Sequence, residues 1–189
     1  QLELENAMTS LIRQLEEAGI ADDTVIVISP DHYPYGLERS ATWKNAKNYL
    51  CELYGVSEID RFTRDNTGLI IWSGCLEDKN LKVETPVYSL DILPTLSNLF
   101  GLDYDSRLLV GRDVFSDAEP LVLWPEFSWK TDKGTYDAET KTFTPAEGVT
   151  VEEGYVERIK NTVSNKINFC KKVQDQLYFN TLSKLMNNE

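Results

Sequence analysis

The chain of 189 residues has a single histidine, His32, directly behind Asp31 in the stretch SPDHYPYG at residues 29–36. A carboxylate and an imidazole side by side offer one hard oxygen and one borderline nitrogen donor, a mixture suited to Zn2+ or Mn2+ and less so to Ca2+. Two donors do not complete a metal site. With no second histidine, the other ligands have to be carboxylates or hydroxyls, or lie in sequence outside the chain. The bland alternative is a turn or a helix cap, which is what most Asp-His pairs in loops are. A Ser-His-Asp arrangement has less support, because no GxSxG-like elbow is present and an aspartate adjacent in sequence is badly placed to orient the ring. Nearby, Tyr33 and Tyr35 are candidates to line a substrate mouth, and Arg39 and Lys44 to meet an anionic group. Each competes with a simpler reading, aromatic-proline packing for the tyrosines and a solvated loop face for the cations.

The elements that must hold this loop are legible in the apolar pattern. Leu4, Met8, Leu11, Ile12 and Leu15 recur at three- and four-residue steps, predicting an amphipathic helix with one buried stripe, stopped by Gly19. TVIVIS at 24–29 is too short for a helix and rich in Val and Ile, and is expected to be a strand buried on both faces. Asp31 and His32 therefore stand just beyond the carboxyl end of a strand, where sites gather in open α/β sheets. Residues 42–54 read as a second helix, VSEID as a short turn beginning at Ser57, and GLIIW at 68–72 as a second buried strand. Ser89 is a candidate cap for a helix with Ile92, Leu93, Leu96 and Leu99 facing inward, ended by Gly101, with Pro94 tolerated in its first turns. Asp91 is favoured there by the helix dipole alone and is not taken as a ligand.

After Gly111 the texture changes. LVLWPEFSW, KGTY and KTFT, separated by turn formers, predict a small antiparallel meander. Thr150 and Glu153 form a capping-box pattern for a closing helix through Ile159, Val163, Ile167 and Val173. The fold class is α/β, an open sheet flanked by helices with an antiparallel appendage. The expected division places residues 1–118 in the α/β part and 119–189 in the meander with its terminal helix.

Composition narrows the function. With 31 acidic against 19 basic residues the net charge is −12, which excludes a broad nucleic-acid-binding surface. Three cysteines, odd in number, widely spaced and without CxxC, indicate buried or semi-buried thiols rather than a disulfide framework or structural zinc. No apolar run is long enough to span a bilayer, and no signal-peptide pattern opens the chain. The start at Gln1, close to a helical pattern, suggests a piece of something longer.

GIADDTVIVISPDHYPYG resembles the strand-Asp-His segment of the sulfatase and alkaline phosphatase superfamily. SLDILPTLSNLFGLDYDSRLLVGRDVF resembles that superfamily's later Asp, Pro-Thr helix and closing Gly-x-Asp turn, to which Gly111 and Asp113 correspond. TGLIIWSG lies between the two in the right order. The resemblance covers residues 4–115, and EFSWKTDKGTYDAETKTF with the helical tail is most similar to the lipoteichoic acid synthase-like branch of polyglycerol-phosphate transferases.

The resemblance implies the carboxy-terminal part of an alkaline phosphatase-like domain in a metal-dependent phosphoryl or sulfuryl transferase. Asp31 and His32 would ligate Mn2+, Mg2+ or Zn2+, and the nucleophile, with further ligands, would lie upstream. The implied parent sits at the extracellular face of the cell membrane and takes an anionic phosphate or sulfate ester, lipid-linked in this branch. Alone, the piece is expected to be soluble and inactive, with an incomplete metal site and a tendency to self-associate through exposed strand edges. The alternatives are a sulfatase or phosphodiesterase hydrolase, or a noncatalytic module that keeps the fold.

Overall fold

A computed structural model describes residues 2–33, 37, 49–76, 81–176 and 178–186. The chain is mixed α/β and divides into two units, Gln1–Leu81 and Lys82–Glu189. Among the described residues no helix is long and apolar enough to cross a membrane.

In the first unit, α1 (Leu2–Glu17) ends in a Schellman motif, where Gly19 at φ 71° donates its N–H to Glu16 and Ile20 donates to Leu15. Its expected stripe is present but not buried: Met8, Ile12 and Leu15 are half-covered, while Leu4 and Leu11 are exposed. β1 (Val25–Ile28) pairs antiparallel with β2 (Ile70–Ser73), Val25 opposite Ser73 and Ile28 opposite Ile70. Burial of β1 on both faces is not found. All four residues are half-buried, because among the described residues this sheet has two strands and does not enclose either one.

Of the helix expected at 42–54, α2 (Tyr49–Tyr54) is described, with Leu50 and Cys51 buried, and 42–48 lie outside the described residues. The turn expected at Ser57 forms later, as α3 (Arg61–Arg64). Asp60 decides that, since its carboxylate accepts the amides of Phe62 and Thr63 and the hydroxyl of Thr63.

In the second unit, residues 89–91 make a 3-10 turn that runs into α4 (Ile92–Leu99). The expected inward face is wrong for this helix. Leu93 and Leu99 are exposed, whereas Asp91, Pro94, Thr95 and Ser97 are buried. The reason is polar. The Thr95 hydroxyl donates to the carbonyl of Asp91 and accepts the amide of Val114, so the helix turns Thr95 towards the 110–114 segment. Gly111 fits for a backbone reason, because a Cβ there would overlap the carbonyl of Leu90 and the amide of Asp91.

The meander is β3 (Val122–Leu123), β4 (Trp129–Thr131), β5 (Gly134–Asp137) and β6 (Thr142–Pro145), in sequence order and antiparallel throughout. Period-2 alternation buries Trp129 and Thr131 on one face and leaves Lys130 outside. That face meets α5 (Tyr155–Asp175), whose Tyr155, Ile159, Val163 and Ile167 are buried at four-residue steps. α6 (Tyr178–Met186) follows, with no buried residue. The capping box expected from Thr150 and Glu153 does not start α5. Gly154, at φ 81°, is the N-cap, and the later start sets Tyr155 where its hydroxyl pairs with Thr131 at 2.8 Å. Of the three cysteines expected to be buried or semi-buried thiols, Cys51 is buried, and Cys75 and Cys170 are exposed.

Glu119 ties the segment before β3 to α5 through Arg158, at 2.8 and 3.2 Å. The Arg158 hydrogen bonds hold the Glu119 carboxyl below the usual glutamate range, outweighing partial burial, with help from Arg158 and Lys133 charge. Because the folded value is depressed, the stability is present above the ordinary range and is lost as pH falls through the lowered value. Side-chain exposures of 34% and 48% for Glu119 and Arg158 leave the pair screened by solvent, so its increment to stability is small. We expect Glu119→Gln to lose that increment at about pH 6 and to match wild type at about pH 2 in urea unfolding. An equal gap at both pH values would contradict the assignment.

Candidate functional site

β1 delivers the loop that carries the chemistry. Asp31 follows the last strand residue, Ile28, by three positions, and both Asp31 and His32 are exposed beyond the strand's carboxyl end. His32 is held at both ring nitrogens. Nδ1 lies 2.7 Å from the backbone carbonyl of Tyr33, and Nε2 lies 3.2 Å from Oδ1 of Asp31. The neighbouring aspartate thus does approach the imidazole, contrary to the expectation from sequence adjacency. The backbone bend at 31–32 lets the ring fold back over it.

The two contacts are not equivalent. A carbonyl oxygen can only accept, so the Tyr33 contact places the proton on Nδ1. In the neutral ring Nε2 then carries a lone pair that faces a carboxylate oxygen. Two lone pairs at 3.2 Å require positive charge between or beside them, supplied either by a second ring proton or by a cation. Asp31 would offer such an ion a hard carboxylate oxygen and His32 a borderline ring nitrogen. The donor pair fits such an ion. An Nδ1–H given to a backbone carbonyl is also the usual outer support of a metal-ligating histidine.

Tyr33 is half-buried, and the guanidinium of Arg64 lies 4.6 Å over its ring. Arg64 is held in turn by Asp65, Nε to Oδ1 at 2.8 Å, and by its place on α3. The cap of that helix is strong. Burial opposes ionisation of Asp60, yet the hydrogen bonds from the Thr63 hydroxyl and from the Thr63 and Phe62 amides prevail and lower its pKa. Sequence reading missed Arg64, which is 32 positions from His32 and carries no local signal beyond its charge. Tyr35, Arg39 and Lys44 lie outside the described residues. Among the described residues, no group of three or more His, Cys, Asp or Glu side chains gathers as a metal cluster.

No family model matches the chain. Lipoteichoic acid synthase 1 of Bacillus subtilis (strain 168) is 26% identical to it over 144 residues, covering 72% of this chain and 21% of the relative. The chain is a distant relative of a lipoteichoic acid synthase. It spans about a fifth of that protein's length. The relationship agrees with the similarity of EFSWKTDKGTYDAETKTF and the helical tail to the lipoteichoic acid synthase-like branch.

Proposed function

We propose that this chain is the carboxy-terminal part of a metal-dependent phosphotransferase that moves glycerol phosphate or a similar phosphoalcohol in cell-envelope polymer synthesis. Asp31 and His32 are two of its metal donors. The observation that carries the reading is the His32 ring, with Nδ1 2.7 Å from the Tyr33 carbonyl and Nε2 turned to Asp31 Oδ1 at 3.2 Å. A bound Mn2+, Mg2+ or Zn2+ supplies Lewis-acid stabilisation of a phosphate and a lowered pKa for a hydroxyl nucleophile.

What the residues of this chain do is narrower. Asp31 contributes anionic oxygen, His32 a neutral nitrogen in a fixed tautomer, and Tyr33 the carbonyl that fixes it. Tyr33, Tyr35, Arg39 and Lys44 are the further candidates for the substrate side. The nucleophile and remaining ligands are assigned to the upstream part of the parent, which faces the outside of the cell membrane and uses a lipid-linked donor. The isolated chain is accordingly inactive.

Two donors give weak affinity, because most of the binding in a complete site comes from donors already in place. In isothermal titration with Mn2+ or Zn2+ we expect weak binding that His32→Ala abolishes. The loss should exceed the roughly 10–100-fold that removal of an outer support costs. Acidification should weaken binding as well, since a ring nitrogen cannot hold a proton and a metal together. A tight site indifferent to His32→Ala would refute the assignment.

A further inference from the structure

We infer that the end of α5 together with α6 forms a docking surface for an anionic lipid bilayer, seating the Lys82–Glu189 unit on a membrane without spanning it. Charge marks the place. Residues 155–186 hold six of the chain's 19 Lys and Arg but two of its 31 Asp and Glu, so this stretch is basic in a chain of net charge −12. Half of those cations are engaged inside the unit, Arg158 by Glu119, Lys160 by Glu157, and Lys166 by the carbonyl of Val110. The other three, Lys171 and Lys172 near the end of α5 and Lys184 on α6, are exposed.

Beside these cations the helix shows an apolar face. At about 3.6 residues per turn, Leu185, Tyr178, Leu182, Met186 and Phe179 fall within an arc of about 120°, and Lys184 falls opposite it. Tyr178 and Leu182 are half-buried, while Phe179, Leu185 and Met186 remain 57%, 71% and 75% exposed. A bilayer suits this pattern better than a protein groove does. Apolar side chains project from both flanks of one short helix with no buried residue, so whatever covers them has to be apolar over a broad front and anionic at its border. The lysines can keep their ammonium groups at headgroup level while their stems and the Phe179 ring sink deeper. The acidic remainder of the chain does not cancel the attraction, since at about 0.15 M salt charges more than about 8 Å away are largely screened. None of these residues belongs to the Asp31–His32 loop, so the surface stands or falls apart from the metal reading.

Co-sedimentation of the 189-residue chain with lipid vesicles at about 0.15 M salt tests this. Wild type should prefer vesicles containing phosphatidylglycerol over pure phosphatidylcholine by about 100-fold, and about 1 M salt should erase the preference. Lys172→Gln combined with Lys184→Gln should weaken binding to the anionic vesicles about 25-fold, near fivefold for each lysine, and leave binding to neutral vesicles unchanged. Phe179→Ser combined with Leu185→Ser should weaken binding to both. All four side chains are exposed, so the amide signals of β5 should stay in place. If the serine variant disturbs those signals, the lysine variant decides. No binding to anionic vesicles, equal binding to neutral ones, or unchanged binding in the folded variants overturns the inference. So does a dimer in sedimentation velocity that vesicles leave intact and that Phe179→Ser with Leu185→Ser dissolves, because it would assign the face to a second copy.

Discussion

Trp129→Ala is expected to lower the stability of the Lys82–Glu189 unit by about 3–5 kcal/mol, a large share of the roughly 5–15 kcal/mol that holds a domain folded. Trp129 is fully buried and is the centre of the aromatic core. Its ring stacks on Tyr136 at 5.5 Å and 17°, meets Phe143 at 5.5 Å, and meets Tyr155 edge-on at 6.2 Å. Ile159, Val163 and Ile167 of α5 belong to the same cluster. Truncation would leave a cavity between a four-stranded meander and a single helix, neither of which can bury its apolar face elsewhere.

Trp129→Phe should cost much less, about 1–2 kcal/mol. It keeps an aromatic ring, and it also removes an indole N–H that is buried with no acceptor, so part of the lost packing is offset. Amide hydrogen exchange in β5 and α5 reads the effect inside this unit. Equal costs for the two variants, or a cost under about 1 kcal/mol for Trp129→Ala, would show that the aromatic cluster does not organise the core.

Asp91→Ala should be comparably damaging, at about 3–5 kcal/mol, for a polar reason. Asp91 is 1% exposed and accepts the amides of Tyr88 at 3.2 Å and of Arg112 at 2.8 Å, so it pins the start of α4 to a segment 21 residues later. Alanine would leave both half-buried amides without their acceptor and remove the carboxylate near the Arg112 and Lys166 cations. Lys166 of α5 donates to the carbonyl of Val110 in the same segment, so the loss would loosen one face of α5 as well.

The pH dependence separates charge from hydrogen bonding. Burial pushes the Asp91 carboxyl up, against the amides of Arg112 and Tyr88 and the charges of Arg112 and Lys166. Burial likewise pushes Lys166 down and Tyr88 up. A carboxyl with a folded value above its unfolded one binds its proton more tightly when folded. Its contribution therefore grows as pH falls through the raised range towards the ordinary value near 3.8. Asp91→Asn, which keeps one acceptor and loses the titration, should cost about 1–3 kcal/mol near neutrality, and its deficit against wild type should widen on acidification. A deficit that shrinks with falling pH would mean that the buried carboxylate, not its hydrogen-bonded shape, is what the site requires.

Local pattern alone determined much of this protein. The four-residue stripe of Ile159, Val163 and Ile167, the turn-punctuated strands of the meander, and the place of Asp31 and His32 past a Val/Ile strand were all readable, because such periodicities record which side of an element meets apolar neighbours. The close-packed backbone at Gly111 was readable for a related reason, as a residue type that marks tight approach.

Tertiary structure decided the rest. It turned Thr95 rather than Leu93 inward, moved the start of α5 from the Thr150 box to Gly154, and left β1 half-covered, paired with β2. It also made Asp91 a pin rather than a dipole partner, and brought the Arg64 guanidinium over the Tyr33 ring. Each of these depends on a contact between residues far apart in the chain, Asp91 with Arg112 or Tyr33 with Arg64. Such contacts leave no short-range period in the sequence.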